Sequence, residues 1–132
     1  MTIKEQFYTH IVALQNEICE ALEKADGLAK FIGDKWNRAE GGGGLSKVIA
    51  HGKVFEKGGV NISSVHGELP QSMRETFGVS GKDFFACGLS LVIHPLNPYV
   101  PTVHANWRYF ELYDEEGKTV DSWFGGGSDL TP

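Results

Sequence analysis

Apolar residues recur at spacings of three and four through the first turns of the chain: Ile3, Phe7, Ile11, Leu14, Ile18, Leu22 and Ala25. That is the period of one helix face, and it predicts an amphipathic helix over Thr2–Asp26 that packs on a sheet. Thr2 and Glu5 supply a capping box and Gly27 a stop. From Phe31 the texture changes to short segments punctuated by glycine. Strands are predicted over Phe31–Trp36, Leu45–Ala50, Val54–Lys57 and Val60–Val65, with His51-Gly52 and Gly58-Gly59 as tight connections. Pro70 suits the first turn of a short helix through Met73 and Arg74. Phe84–His94 is strongly apolar and predicts a buried strand. Pro95–Pro101 reads as a proline-rich loop, Thr102–Tyr113 as a long alternating strand, Asp114–Gly117 as a turn and Val120–Phe124 as the partner strand. A helix followed by hairpin-linked strands predicts an α+β fold with an antiparallel sheet, not a βαβ parallel one.

The 132 residues amount to one domain, residues 1–132. A net charge of −5, with no cluster of lysine or arginine, argues against a nucleic-acid or membrane-surface binder. An acidic small molecule stays compatible, because one pocket can be basic on an acidic protein. Cys19 and Cys87 have no CxxC spacing, which disfavours a zinc or disulfide framework and suits free thiols in a reducing compartment. The N-terminus carries Glu5 and no basic-then-apolar leader pattern, and no run of about 18 apolar residues occurs. The expectation is a cytoplasmic protein with no membrane span. The last residues, GGGSDLTP, read as the approach to a further element, so the chain is expected to be part of a longer protein.

The chemistry concentrates in Ser90–Arg108, SLVIHPLNPYVPTVHANWR. On a strand, His104, Asn106 and Arg108 project from one face. An imidazole, an amide and a guanidinium together suit a polar, acidic ligand better than a core. If the flanking strands pair with His94 opposite His104, Ser90 falls opposite Arg108 and the whole set shares that face; a slip of one residue would separate it. Arg108 could grip a carboxylate through two hydrogen bonds, or merely pair with Glu111 or Asp129. His94 and His104 could bind a metal, although such sites usually need three or four ligands. His10, His51 and His66 read as surface, turn and structural residues. Gly41–Gly44 and Gly125–Gly127 match neither phosphate-loop pattern and read as loops lining a ligand site. Asp129 reads either as a turn or cap residue, or as a loop carboxylate that accepts N–H bonds from a ligand.

The segments GGGGLSKV, VFEKGGVNISSVHG, SLVIHPLNPYVPTVHANWRYFE and WFGGGSDLTP, in this order, resemble the signatures of oxygen-dependent coproporphyrinogen III oxidase over roughly Trp36–Pro132. Lys47 stands where that family typically carries arginine, and Ser128 where cysteine can stand. Family members run well over twice this length. The resemblance implies a large antiparallel sheet flanked by helices, a homodimer, and oxidative decarboxylation of two propionates of coproporphyrinogen III to vinyl groups in haem biosynthesis. By motif, Ser90, Asn106, Trp107 and Arg108 would contact substrate, His104 would donate a proton, and Asp129 would be the carboxylate at the macrocycle. No cofactor beyond O₂ as co-substrate is implied for most members, whereas in the bacterial branch His94 and His104 would be metal ligands. Two other readings are a non-catalytic tetrapyrrole- or anion-binding fragment and a histidine metal protein.

Overall fold

The computed structural model describes residues 1–78, 81 and 83–132. The N-terminal stripe forms helix α1 (Ile3–Asp26), with Thr2 Oγ1 accepting the Glu5 N–H at 3.1 Å. Gly27 ends it in the left-handed region at φ 79°. The strands are β1 (Ile32–Asn37), β2 (Gly42–Ala50), β3 (Phe55–Glu68), β4 (Asp83–Pro95), β5 (Thr102–Tyr113) and β6 (Thr119–Thr131), with helix α2 (Gln71–Phe77) between β3 and β4. They make one sheet in the order β1-β2-β3-β4-β5-β6, antiparallel at every step. The α+β antiparallel architecture is therefore the predicted one.

Successive side chains of a strand point to opposite faces, so the registers sort the sheet into two surfaces. One carries Val60 and Ile62 of β3, Phe85, Cys87, Leu89, Leu91 and Ile93 of β4, and Ala105 and Tyr109 of β5. Helix α1 lies on it, and its Ile11 and Cys19 join these residues in one buried cluster. Each fully buried aliphatic side chain there contributes about 1.5–3 kcal/mol. Lys47, on the same side, donates to Asn16 of α1 at 2.6 Å. The other surface is polar and fine-grained along β3–β6, with Asn61, Ser63, Gly88 and Ser90 at its centre. Helix α2 reaches one end of it through Phe77, whose ring lies 5.7 Å from that of Trp123.

Two buried polar side chains tie α1 to the sheet. The Gln15 amide donates to Leu45 O and Val60 O, both at 2.9 Å. Asp26, at the helix C-terminus, accepts five backbone N–H bonds, from Leu28, Ala29, Lys53, Val54 and Phe55. Those donors, Ala29 and Phe55 foremost, hold its carboxyl well below the usual range. They also offset the unfavourable placement of a negative charge at a helix C-terminus. A Cβ at Gly52 would collide with the Asp26 carboxylate, so the β2–β3 turn needs glycine there. His51 in that turn has φ 57°, as a tight connection requires.

Three expectations are corrected. Gly58-Gly59 is not a turn: β3 runs through it, and Gly58 pairs with Ile49 on one side and Ile93 on the other. A Cβ at Gly58 would sit 2.8 Å from Ile93 Cδ1, so this glycine serves packing. Gly42–Gly44 and Gly125–Gly127 are not loops but paired parts of β2 and β6. A Cβ at Gly44 would strike Ile62 O and the Trp36 ring, so flat packing, not flexibility, selects glycine there. The partner of β5 consequently extends well beyond Phe124, to Thr131.

Candidate active site

Strands β4, β5 and β6 position the polar set. The observed β4–β5 register pairs Val92 with His104, Ser90 with Asn106 and Gly88 with Arg108, two residues away from the expected one. The cause is the turn over Asn97–Val100. Asn97 Oδ1 accepts the Tyr99 N–H at 2.9 Å and Asn97 O the Val100 N–H at 3.0 Å, which moves the hairpin axis one residue earlier. An even shift preserves the face. Ser90, His94, His104, Asn106 and Arg108 therefore still share the open surface, but Ser90 stands beside Asn106 rather than Arg108.

Strand β6 completes the set by placing Asp129 opposite His104, Gly127 opposite Asn106 and Gly125 opposite Arg108. His104 Nδ1 lies 3.2 Å from Asp129 Oδ2, with the two side chains 42% and 58% exposed. Thr131 Oγ1 supports the other carboxylate oxygen at 3.4 Å. Asp129 is thus a strand residue paired with an imidazole, not a loop or cap residue. Among the described residues Arg108 makes no ion pair. Of its two expected partners, Asp129 engages His104. Glu111 lies on the helix side and accepts from Tyr109 at 2.5 Å and Tyr113 at 2.7 Å. Burial, reinforced by Glu111, pushes both phenols above the usual range and keeps them as donors.

Arg108 borders two recesses. One, of about 190 Å³, is lined by Ser63, Val65, Gly88, Ser90 and Phe110 beside it. The other, of about 370 Å³, is lined by Asn106, Phe110, Trp123 and Gly125–Gly127. A guanidinium between two recesses can receive a carboxylate from either. Beside it stand a hydroxyl, an amide and an oriented imidazole, enough to hold an acidic ligand and pass a proton to it.

A family model described as coproporphyrinogen III oxidase matches residues 6–132. The chain belongs to the coproporphyrinogen III oxidase family. It is 53% identical over 124 residues to an oxygen-dependent coproporphyrinogen-III oxidase of Prochlorococcus marinus (strain NATL1A), covering 92% of this chain and 34% of that one. Against strain MIT 9313 the identity is 54% over 124 residues, with the same coverage. The mitochondrial oxygen-dependent coproporphyrinogen-III oxidase of Rattus norvegicus is 47% identical over 139 residues, 98% of this chain and 31% of the rat protein. The chain spans about a third of the length of these curated relatives.

Of the residues that the coproporphyrinogen oxidase motifs single out, Trp107 alone departs from the open face. It pairs with Leu89 and Gly126 on the α1 side, where it is 41% exposed. As metal ligands, His94 and His104 form a partial set. His94 Nδ1 already faces Thr102 Oγ1 at 3.3 Å and His104 Nδ1 faces Asp129, and among the described residues no group of three His, Cys, Asp or Glu converges. Sequence reasoning overlooked Phe110 and Trp123, whose rings stack 4.7 Å apart at the end of the face. Both lay inside strands that the sequence predicts to pair, Thr102–Tyr113 and Val120–Phe124, and that was the signal.

Proposed function

We propose that this chain carries the substrate-facing surface of an oxygen-dependent coproporphyrinogen III oxidase, acting in porphyrin and haem biosynthesis. The observation that carries the reading is the convergence on one open face of Arg108, without a carboxylate partner among the described residues, Asn106, Ser90 and the His104–Asp129 pair. Coproporphyrinogen III presents four carboxylates around an electron-rich macrocycle with inward pyrrole N–H groups. Arg108 binds a propionate, Ser90 and Asn106 donate to its oxygens, and Asp129 accepts from the pyrrole N–H groups and favours their deprotonation. His104, held by Asp129, exchanges the proton through Nε2.

Each decarboxylation balances as follows. A propionate loses a hydrogen from the carbon next to the ring, its carboxylate leaves as CO₂, and a vinyl group forms. O₂ takes the two electrons and, with that hydrogen and one added proton, becomes hydrogen peroxide. The substrate's own activated pyrrole reacts with O₂, so the reading requires no organic cofactor. The working protein is a cytoplasmic homodimer in this reading, and no helix of the described residues is long and apolar enough to cross a membrane.

The test is a chimera in which residues 1–132 replace the matching segment of the Prochlorococcus relative. It is loaded with coproporphyrinogen III without oxygen, O₂ is admitted, and products are separated and read by fluorescence. Protoporphyrinogen IX is expected. Absence of product from a folded chimera, with the parent relative active alongside, would sink the proposal.

A further inference from the structure

The recess between β5 and β6 contains a feature that binding a carboxylate does not require. Gly125 and Gly127 point into it, and neither needs to be glycine for the sake of the strand. Neither has a left-handed φ, and a Cβ built on either meets nothing within 4 Å. Gly126, between them, is different: its Cβ would lie 2.5 Å from Asn106 O. Glycine weakens a strand interior and marks places where a ligand or another backbone approaches closely. Here the bare backbone is flanked by Asn106 and Arg108 on β5 and closed at one end by Phe110 and Trp123. That end wall is a stack of rings: Trp123 on Phe110 at 20°, and Phe110 on Phe84 at 8°.

We infer that this recess seats one propionate-bearing pyrrole edge of the tetrapyrrole. The ring lies over the backbone of Gly125 and Gly127 and abuts Trp123, and its carboxylate is delivered to Arg108. The inference rests on the proposed reading of the face and adds the residues that fix how the macrocycle is set down. The volume, about 370 Å³, is near the lower limit of small-ligand sites, ~300–1,000 Å³. It accepts an edge of a large macrocycle rather than the whole. Two residues of strand span about 6.6 Å, which is the scale of one substituted ring. An aromatic end wall beside a cation matches a ring that carries an acid, and side chains at positions 125 and 127 would occupy the ring's place.

The test uses the 132-residue chain in anaerobic equilibrium dialysis against coproporphyrinogen III, with bound ligand oxidised and read as porphyrin fluorescence. Gly125→Val and Gly127→Val are compared with the unaltered chain, and thermal midpoints are recorded in parallel. The expected result is at least about tenfold weaker binding in both variants, with midpoints unchanged or higher because valine favours strands and enters open space. If the unaltered chain binds and both variants bind within twofold of it, the seat is wrong while the tetrapyrrole reading stands. If the unaltered chain does not bind, that reading fails for this chain and the seat falls with it. Should either valine variant unfold, Gly125→Ala and Gly127→Ala are judged by the same comparison, with wild-type affinity overturning the seat.

Discussion

Replacing Asp129 with asparagine separates the chemical role of the His104–Asp129 pair from its structural one. The carboxylate can only accept, so at 3.2 Å it keeps the proton on His104 Nδ1 and leaves Nε2 to work. An asparagine of the same shape can turn its NH₂ toward Nδ1 and release that tautomer. The two side chains are about half exposed, so the pair contributes at most about 1 kcal/mol to folding. Turnover is another matter. Positioned acid–base groups contribute about 10²–10⁴-fold, or about 2.7–5.4 kcal/mol of barrier at 1.36 kcal/mol per decade. In the chimera with the Prochlorococcus relative, Asp129→Asn is expected to lower kcat by that factor and leave KM within about threefold. The thermal midpoint should fall by no more than a few degrees. Heteronuclear NMR of the His104 ring in the 132-residue chain should show the tautomer change directly. A kcat within threefold of the parent would refute the acid–base role. A large drop in midpoint would reassign Asp129 to the fold.

Gln15→Met keeps the length of the side chain and removes both bonds to Leu45 O and Val60 O. At about 0.5–1.5 kcal/mol each, urea unfolding should show a loss of about 1–3 kcal/mol, and an unchanged midpoint would mean that the amide adds nothing net. Asp26 has a depressed carboxyl, so its contribution is present above the ordinary aspartate value of ~3.9 and lost as pH falls below it. Asp26→Asn should therefore destabilise the chain most at pH 5–8, and the gap from the parent should narrow in acid; a gap that widens below pH 4 would contradict this. Trp107→Ala, on the α1 side, should leave coproporphyrinogen affinity within about twofold and lower stability by less than the ~3–5 kcal/mol of a buried tryptophan. A tenfold loss of affinity with an unchanged midpoint would place the indole in contact with substrate after all.

The sequence carried most of the fold because its local signals agreed. Thr2, Glu5 and Gly27 bounded α1, and the limits of β5 followed from alternation alone. It misled at glycine. A glycine pair between apolar runs signals a turn, yet Gly58-Gly59 lies flat in β3 because Ile93 packs over Gly58 across the sheet. That contact joins positions far apart in the chain, and no window of sequence contains it. The β4–β5 register erred by an even number of residues, so the face survived while the neighbours changed. Here the deciding interaction, Asn97 Oδ1 with the Tyr99 N–H, was local and legible as an asparagine turn before proline. Asp26 was passed over as a helix-end residue, although a carboxylate at a helix C-terminus is an anomaly that asks for donors from elsewhere.

The sheet's strand order equals its chain order. Within residues 1–132 each strand pairs with its neighbours in the chain, so these six strands can assemble in chain order. The β2–β3 hairpin closes, β4 adds to its free margin, and β5 adds to β4 once Tyr113 has emerged. Loop-closure entropy is met in small instalments, which favours rapid folding for a β-rich protein. Of the six strands β6 comes last, so the His104–Asp129 pair forms only after the strands that carry Ser90, Asn106 and Arg108 are in place.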